Sequence, residues 1–342
     1  MSSRLKIAVC WAGACGGCDV ALLDLGERLL ELTEVADLVY WPVALDLKHD
    51  DLKAFGPGEI DIGIFNGAVR TSAQAEDARL LRERSKVLVA FGSCAALGGI
   101  PGLANLSSRE DLLETVYRET ASTDNPDGVL PAECTEVGGH GLELPVFHET
   151  VKALGHEVEV DLVVPGCPPP EPQVEQTLEL ILALAGGAAP PPPGTVLASD
   201  RALCDECARN QTRPSLEGLA GRLQRIETIH RPHEVLADPE RCFLDQGVIC
   251  QGLVTRAGCG GTCLGVNMPC RGCFGPPPGV YDPGADALSA LGSLVAPPNE
   301  DDLPQPQRLR PVRSIRDVAG TFYRFSLPSS IVFRRVAERS KG

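Results

Sequence analysis

The chain has 342 residues, is 43% hydrophobic and carries a formal charge of -15, which is enough apolar content for at least one core domain and an appendage. The acidic balance argues against a nucleic-acid partner, because phosphate contacts need clustered Lys and Arg. With 36 Gly and 29 Pro, part of the molecule is expected to be loop structure held together by something other than a core.

In chain order, Met1-Ser2-Ser3-Arg4 runs straight into an apolar strand, Leu5 to Val9, with no signal-peptide h-region and no twin-arginine motif. A cytoplasmic, reducing location is therefore expected. Asp19 to Glu31, apolar at Leu22, Leu23, Leu29 and Leu30, reads as the following helix. Val35 to Val43 and Ile60 to Phe65 read as the second and third strands, Ala73 to Ser85 as a charged helix, and Val87 to Phe91 as the fourth strand. Val158 to Val164 closes the set, and Glu171 to Leu184 is the helix after it. The alternation predicts an α/β class with a flavodoxin-like parallel sheet domain over residues 1–187.

The longest apolar stretch, Leu178 to Ala189, contains Glu179 and two glycines and is too short to span a membrane. The run Ala188-Ala189-Pro190-Pro191-Pro192-Pro193-Gly194 cannot continue a helix, which predicts a Pro-rich linker over residues 188–200. Residues 201–280, with eight cysteines and little periodicity, read as a small irregular cluster domain. Residues 281–342 are expected to form a C-terminal tail packing on the body, with one helical stretch from Ala285 to Leu294.

In a reducing compartment, close-set cysteines point to metal or redox centres rather than disulfides. Cys15 and Cys18 follow the first strand, Cys94 the fourth and Cys167 the last, so all lie at carboxyl ends of parallel strands, where open α/β sheets place ligands. Gly16, Gly17, Gly92, Gly98 and Gly99 would let the backbone turn tightly and aim N–H groups at sulfurs. A redox dithiol at Cys15 and Cys18 would leave Cys94 and Cys167 unexplained. Cys204, Cys207, Cys242, Cys250, Cys259, Cys263, Cys270 and Cys273 make two further sets of four, which suit iron–sulfur clusters or zinc. Cys10 reads as an inert core residue, and Cys134 as a loop residue without a partner. His230 and His233 read as part of a solvated loop. No Ser-His-Asp arrangement and no G-x-G-x-x-G after a strand is present, so no catalytic residue is expected.

Several motifs together resemble the small subunit of nickel–iron hydrogenases: Cys15-Gly16-Gly17-Cys18-Asp19, Gly92-Ser93-Cys94-Ala95-Ala96-Leu97-Gly98-Gly99-Ile100-Pro101-Gly102 and Pro165-Gly166-Cys167-Pro168-Pro169. Cys204-Asp205-Glu206-Cys207, Arg256-Ala257-Gly258-Cys259-Gly260, Pro269-Cys270-Arg271-Gly272-Cys273-Phe274-Gly275 and Arg324-Phe325-Ser326-Leu327-Pro328 narrow the resemblance. They point to the gamma subunit of the F420-non-reducing, methyl-viologen-reducing type that associates with heterodisulfide reductase.

The resemblance implies three [4Fe-4S] clusters. Cys15, Cys18, Cys94 and Cys167 would hold the proximal one, Cys259, Cys263, Cys270 and Cys273 the medial one, and Cys204, Cys207, Cys242 and Cys250 the distal one. It also implies a hydrogenase large subunit as partner and a downstream iron–sulfur or flavin acceptor, with a delta-type iron–sulfur subunit and heterodisulfide reductase as the family's examples. The alternatives are a zinc-stapled scaffold without redox function and the gamma subunit of an F420-reducing hydrogenase; the ferredoxin-like Cys run of the latter is not found. The Pro-rich linker, residues 297–311 and the acidic Asp19 depart from the family pattern.

Overall fold

The computed structural model describes residues 4–212, 226–295, 302–308 and 310–332. Part of the Pro-rich elaboration expected over 297–311 lies outside them. The chain divides into two compact units, Met1–Leu197 with Leu327–Gly342, and Ala198–Ser326.

The first unit is built on a parallel sheet. Its strands are β1 (Leu5–Trp11), β2 (Ala36–Tyr40), β3 (Ile60–Asn66), β5 (Ser85–Phe91), β9 (Leu162–Val164) and β10 (Thr195–Val196), with β4 (Val69–Thr71) in a separate pair described below. The spatial order is β10-β9-β5-β3-β1-β2, and every adjacent pair is parallel. Ile7 lies opposite Ile62, and Ile62 opposite Val87, so alternate residues of three strands line up on each face.

One face gathers Val9, Ile64, Val89 and Phe91 under Leu22 of α1 (Gly17–Leu23), Leu32 of α2 (Leu29–Val35) and Leu178 of α7 (Glu171–Ala185). The other gathers Ala8, Cys10, Phe65, Leu88 and Ala90 under Leu52 of α3 (His49–Lys53) and Ala78 and Leu81 of α4 (Ser72–Arg84). Both faces are covered, which is why these strands read as continuous apolar runs. A reciprocal cap starts α4: Thr71 Oγ1 accepts from Gln74 N at 3.3 Å while Gln74 Oε1 accepts from Thr71 N at 3.1 Å.

Four local differences from expectation have physical causes. The helix expected over Asp19–Glu31 is interrupted where Gly26 takes φ +55, and it resumes as α2. The strand expected from Val158 is confined to Leu162–Val164; just before it the Asp161 carboxylate takes the Leu88 N–H at 2.7 Å. Inside the stretch expected as linker, Thr195–Val196 pairs with Leu162–Val163 after the proline run and adds a strand to the sheet. Residues 107–146 form an arm that strand and helix periodicity did not signal, made of α6 (Arg109–Glu114) and a hairpin of β6 (Cys134–Val137) and β7 (His140–Glu143) whose residues are all exposed. The arm returns through β8 (Phe147–Lys152), antiparallel to β4.

In the second unit regular structure is sparse among the described residues: turns and helices of four or five residues such as α8 (Thr262–Gly265), with α9 (Pro283–Leu294) the longest helix. Asp282 Oδ1 caps α9 by accepting from Ala285 N at 2.8 Å. A small cluster of Ala237, Phe243 and Val248 is its compact apolar nucleus. The Arg209 guanidinium stacks 4.3 Å from the Phe243 ring and donates to Asp238 O and Asn267 Oδ1, both at 2.9 Å, tying three loops together. No described helix is long and apolar enough to cross a membrane.

Candidate metal centres

At the carboxyl edge of the parallel sheet the loops after β1, β5 and β9 bring four thiols together. Cys15 lies in the first loop and Cys18 in α1; Cys94 lies in α5 (Ser93–Leu97) after β5; Cys167 follows β9 and precedes a cis-Pro168. The last two loops are pinned to each other by Gly92 N donating to Val164 O at 2.8 Å and Ser93 N to Gly166 O at 2.7 Å. Two glycines leave room for sulfur. A Cβ at Gly92, where φ is +86, would stand 2.5 Å from Cys18 Sγ, and one at Gly99, φ +59, would stand 2.5 Å from Cys94 Sγ.

The electrostatics of the thiols report their closeness. Burial pushes Cys18 up to about 12, and Cys94, Cys167 and Cys15 add to the effect. Burial likewise pushes Cys94 up to about 12, reinforced by Cys167 and Cys15 and opposed by the Ile100 N–H that the Cys94 sulfur accepts. Cys167 is raised by burial and by Cys15. Cys18, Cys94 and Cys167 thus resist ionising beside Cys15 and one another, and a cationic metal at this edge would favour their thiolates.

In Ala198–Ser326, Cys204, Cys207, Cys242 and Cys250 line one cavity. Gly252 lies against this cavity, its Cβ position 3.5 Å from Cys204 Sγ and 3.7 Å from Cys250 Sγ, ordinary contact distances. Burial raises Cys242; the N–H groups of Asp245 and Leu244 work against it, and Cys207 adds to it. The other four stand as a second group. Burial pushes Cys270 up to about 12, the Gly272 N–H and the Thr255 side chain oppose this, and Cys273 and Cys259 contribute. Cys259 is raised by burial, with the Gly261 N–H opposing and Glu206 and Cys263 adding. The two groups touch at one place, where Cys270 N donates to Cys250 Sγ at 3.3 Å.

Among the described residues no group of three or more His, Cys, Asp or Glu side chains closes to the spacing a single metal ion needs. At the sheet edge Gly92 and Gly99 leave the space beside Cys18 and Cys94 Sγ free. Among the described residues the fourteen cysteines form no disulfide. Cys10 is buried in β1 and raised by burial, with Asp77 and Asp19 adding; Cys134 is exposed on β6.

Sequence reasoning missed the Ile100 N–H, which follows the Gly98-Gly99 pair expected to supply donors. It also missed Thr255, which carries no signal in the sequence, and Arg271, whose position between two cysteines was a usable one. Asp19 is buried, and its Oδ1 accepts from Trp41 Nε1 at 2.9 Å.

Residues 15–181 match the family described as NADH ubiquinone oxidoreductase, 20 Kd subunit. The chain is 39% identical over 333 residues to the iron-sulfur G subunit of the F420-non-reducing hydrogenase of Archaeoglobus profundus, covering 97% of this chain and 99% of that one. It is 34% identical over 342 residues to the G subunit of the F420-non-reducing hydrogenase of Methanothermobacter marburgensis, covering 100% of both. Among solved structures, the Dm. baculatum NiFeSe hydrogenase gives a TM-score of 0.49 at 18% identity, over 81% of this chain and 96% of that one. The relatives are G subunits, a different letter from the gamma expected. The chain belongs to the hydrogenase small-subunit family, with the F420-non-reducing hydrogenase G subunits, and is a subunit of an oxidoreductase whose catalytic centre lies in another chain.

Proposed function

We propose that this chain is the electron-relay subunit of a cytoplasmic nickel–iron hydrogenase, taking electrons from hydrogen oxidation in a large subunit to an iron–sulfur or flavin partner of the heterodisulfide reductase type. The observation that supports the reading best is the sheet edge, where Cys15, Cys18, Cys94 and Cys167 act on one another and a Cβ at Gly92 or Gly99 would strike sulfur; the cavity lined by Cys204, Cys207, Cys242 and Cys250 adds to it. Cys15, Cys18, Cys94 and Cys167 would hold a proximal cluster, Cys259, Cys263, Cys270 and Cys273 a medial one, and Cys204, Cys207, Cys242 and Cys250 a distal one. When bound, such clusters supply one-electron storage at potentials set by charge, N–H···S bonds and exposure.

The chain's own residues do the holding and tuning. Ile100, Gly261, Gly272, Asp245 and Leu244 offer backbone N–H groups to sulfurs, which favours the thiolate form and raises the potential of whatever the thiolates bind. Val20 and Leu23 are exposed on the helix that carries Cys18, and Trp11 and Ile100 are exposed close in sequence to Cys15 and Cys94, apolar surface of the kind that a large subunit would cover.

The test is iron, acid-labile sulfide and zinc per chain on anaerobically purified protein with its co-purifying partners, followed by paramagnetic resonance after reduction with hydrogen. About twelve irons with equal sulfide, the sum for three four-cysteine cubanes, and hydrogen-reducible signals are expected. Zinc in place of iron would replace the relay with a stapled scaffold.

A further inference from the structure

The unit Ala198–Ser326 contains a cavity of about 610 Å3 that the cysteine groups do not use. Arg231, Arg271, Arg313, Arg316 and Arg324 line it, with Glu234 and Asp317 as its acidic groups. Five guanidiniums against two carboxylates leave the lining net positive by three, in a chain whose formal charge is -15. Both carboxylates are engaged elsewhere. Glu234 Oε2 accepts from the backbone N–H of Arg231 at 2.8 Å, and Asp317 Oδ1 from that of Gly320 at 2.8 Å. Among the described residues none of the five guanidiniums makes an ion pair.

Arg271 and Arg324 are half-buried and line the same cavity. Arg324 is fixed there, its Nε donating to Gly320 O at 3.0 Å. Like charges held together away from water cost free energy unless an anion bridges them. Arg313 and Arg316 are exposed on the same lining. His230 and His233, on the loop that reads as solvated in the sequence, line the cavity as well.

The planar guanidinium fork matches the oxygens of phosphates and carboxylates alike. Here five of the fifteen residues that line one half-open hollow are arginines, a density of positive charge that suits a compact multivalent anion. The volume falls within the roughly 300–1,000 Å3 of small-molecule sites. We propose that this cavity binds a phosphate-bearing small molecule, a di- or triphosphate that is either free or part of a nucleotide. The proposal stands independently of the relay reading, because its arginines, unlike the cysteines, need no metal to be competent.

The experiment is calorimetric titration of the anaerobically purified protein, with its co-purifying partners, using inorganic pyrophosphate and ADP as probes at fixed ionic strength. One site per chain is expected, weakened at least tenfold in the double variant Arg313→Gln, Arg316→Gln at unchanged iron content. Tighter binding of ADP identifies a nucleotide as the source of the phosphates, and tighter binding of pyrophosphate a free polyphosphate. Should the double variant lose iron, the single variant Arg313→Lys, which keeps the charge and loses the fork, decides by its own weakening. No heat with either probe, equal affinity in the variants, or displacement by hexaglutamate as readily as by pyrophosphate overturns the proposal.

Discussion

Cys18 is the most buried of the four thiols at the sheet edge, and three others act on it. Replacing its sulfur by oxygen in Cys18→Ser removes one ligand and little volume. Hydrogen-dependent dye reduction by the complex is expected to be abolished while the large subunit's metal site stays assembled; dye reduction at the wild-type rate would rule out the proximal group as the first relay step. Gly92→Ala leaves every cysteine in place. Its methyl group would stand 2.5 Å from Cys18 Sγ at a φ of +86 that L residues rarely adopt. Iron is expected to fall by about one cluster of four atoms, with the resonance signals of the other two retained. The positions of Cys15, Cys18, Cys94 and Cys167 could be read from the sequence because each sits just beyond an apolar run, and strand ends are legible. The Ile100 N–H and Thr255 could not be read, since backbone direction and a single hydroxyl leave no periodic trace.

Strands β1, β3 and β5 were recognisable as elements because both faces of the sheet are covered, which makes the apolar run continuous and its length diagnostic. Leu88 in β5 is fully buried against the α3 and α4 side of the sheet. Leu88→Ala is expected to cost about 2–5 kcal/mol, measured by chemical denaturation, without moving the thiols that follow β5. Where the sequence misled, the cause was a single residue overriding a pattern. Gly26 splits a helix whose leucine spacing continues through it, and Thr195–Val196 is too short for any periodic signal yet finds a partner in β9. The exposed hairpin of β6 and β7 was illegible for another reason: with no buried face it has no apolar alternation to announce it.

For the whole molecule, the thiols make stability depend on pH when metal is absent. Cys18, Cys94, Cys250 and Cys270 are each raised from an ordinary 9.0 to about 12 in the folded chain, chiefly by burial. A raised folded value means that the unfolded chain gives up its protons first. The stability is therefore complete below pH 9 and drains away as pH climbs from 9 to 12. Thermal melts of iron-free protein are expected to fall steeply across that window, and those of iron-loaded protein, whose sulfurs have already lost their protons, to change little. Parallel curves would mean that these thiols do not bind metal.

Leu327 to Ser329 rejoin the first unit after the whole of the second has intervened. A Cβ at Gly98 would stand 2.3 Å from Pro328 Cγ and one at Gly102 2.4 Å from Pro328 Cδ, while Ser329 Oγ donates to Leu97 O at 3.1 Å. The turn carrying Cys94 is thus roofed by residues that leave the ribosome more than two hundred positions later. During synthesis the sheet can form early, but the turn from Leu97 to Gly102 stays uncovered until Leu327 to Ser329 have been made. The turn after Cys94 therefore completes its packing only once Pro328 has been made and has reached Gly98 and Gly102.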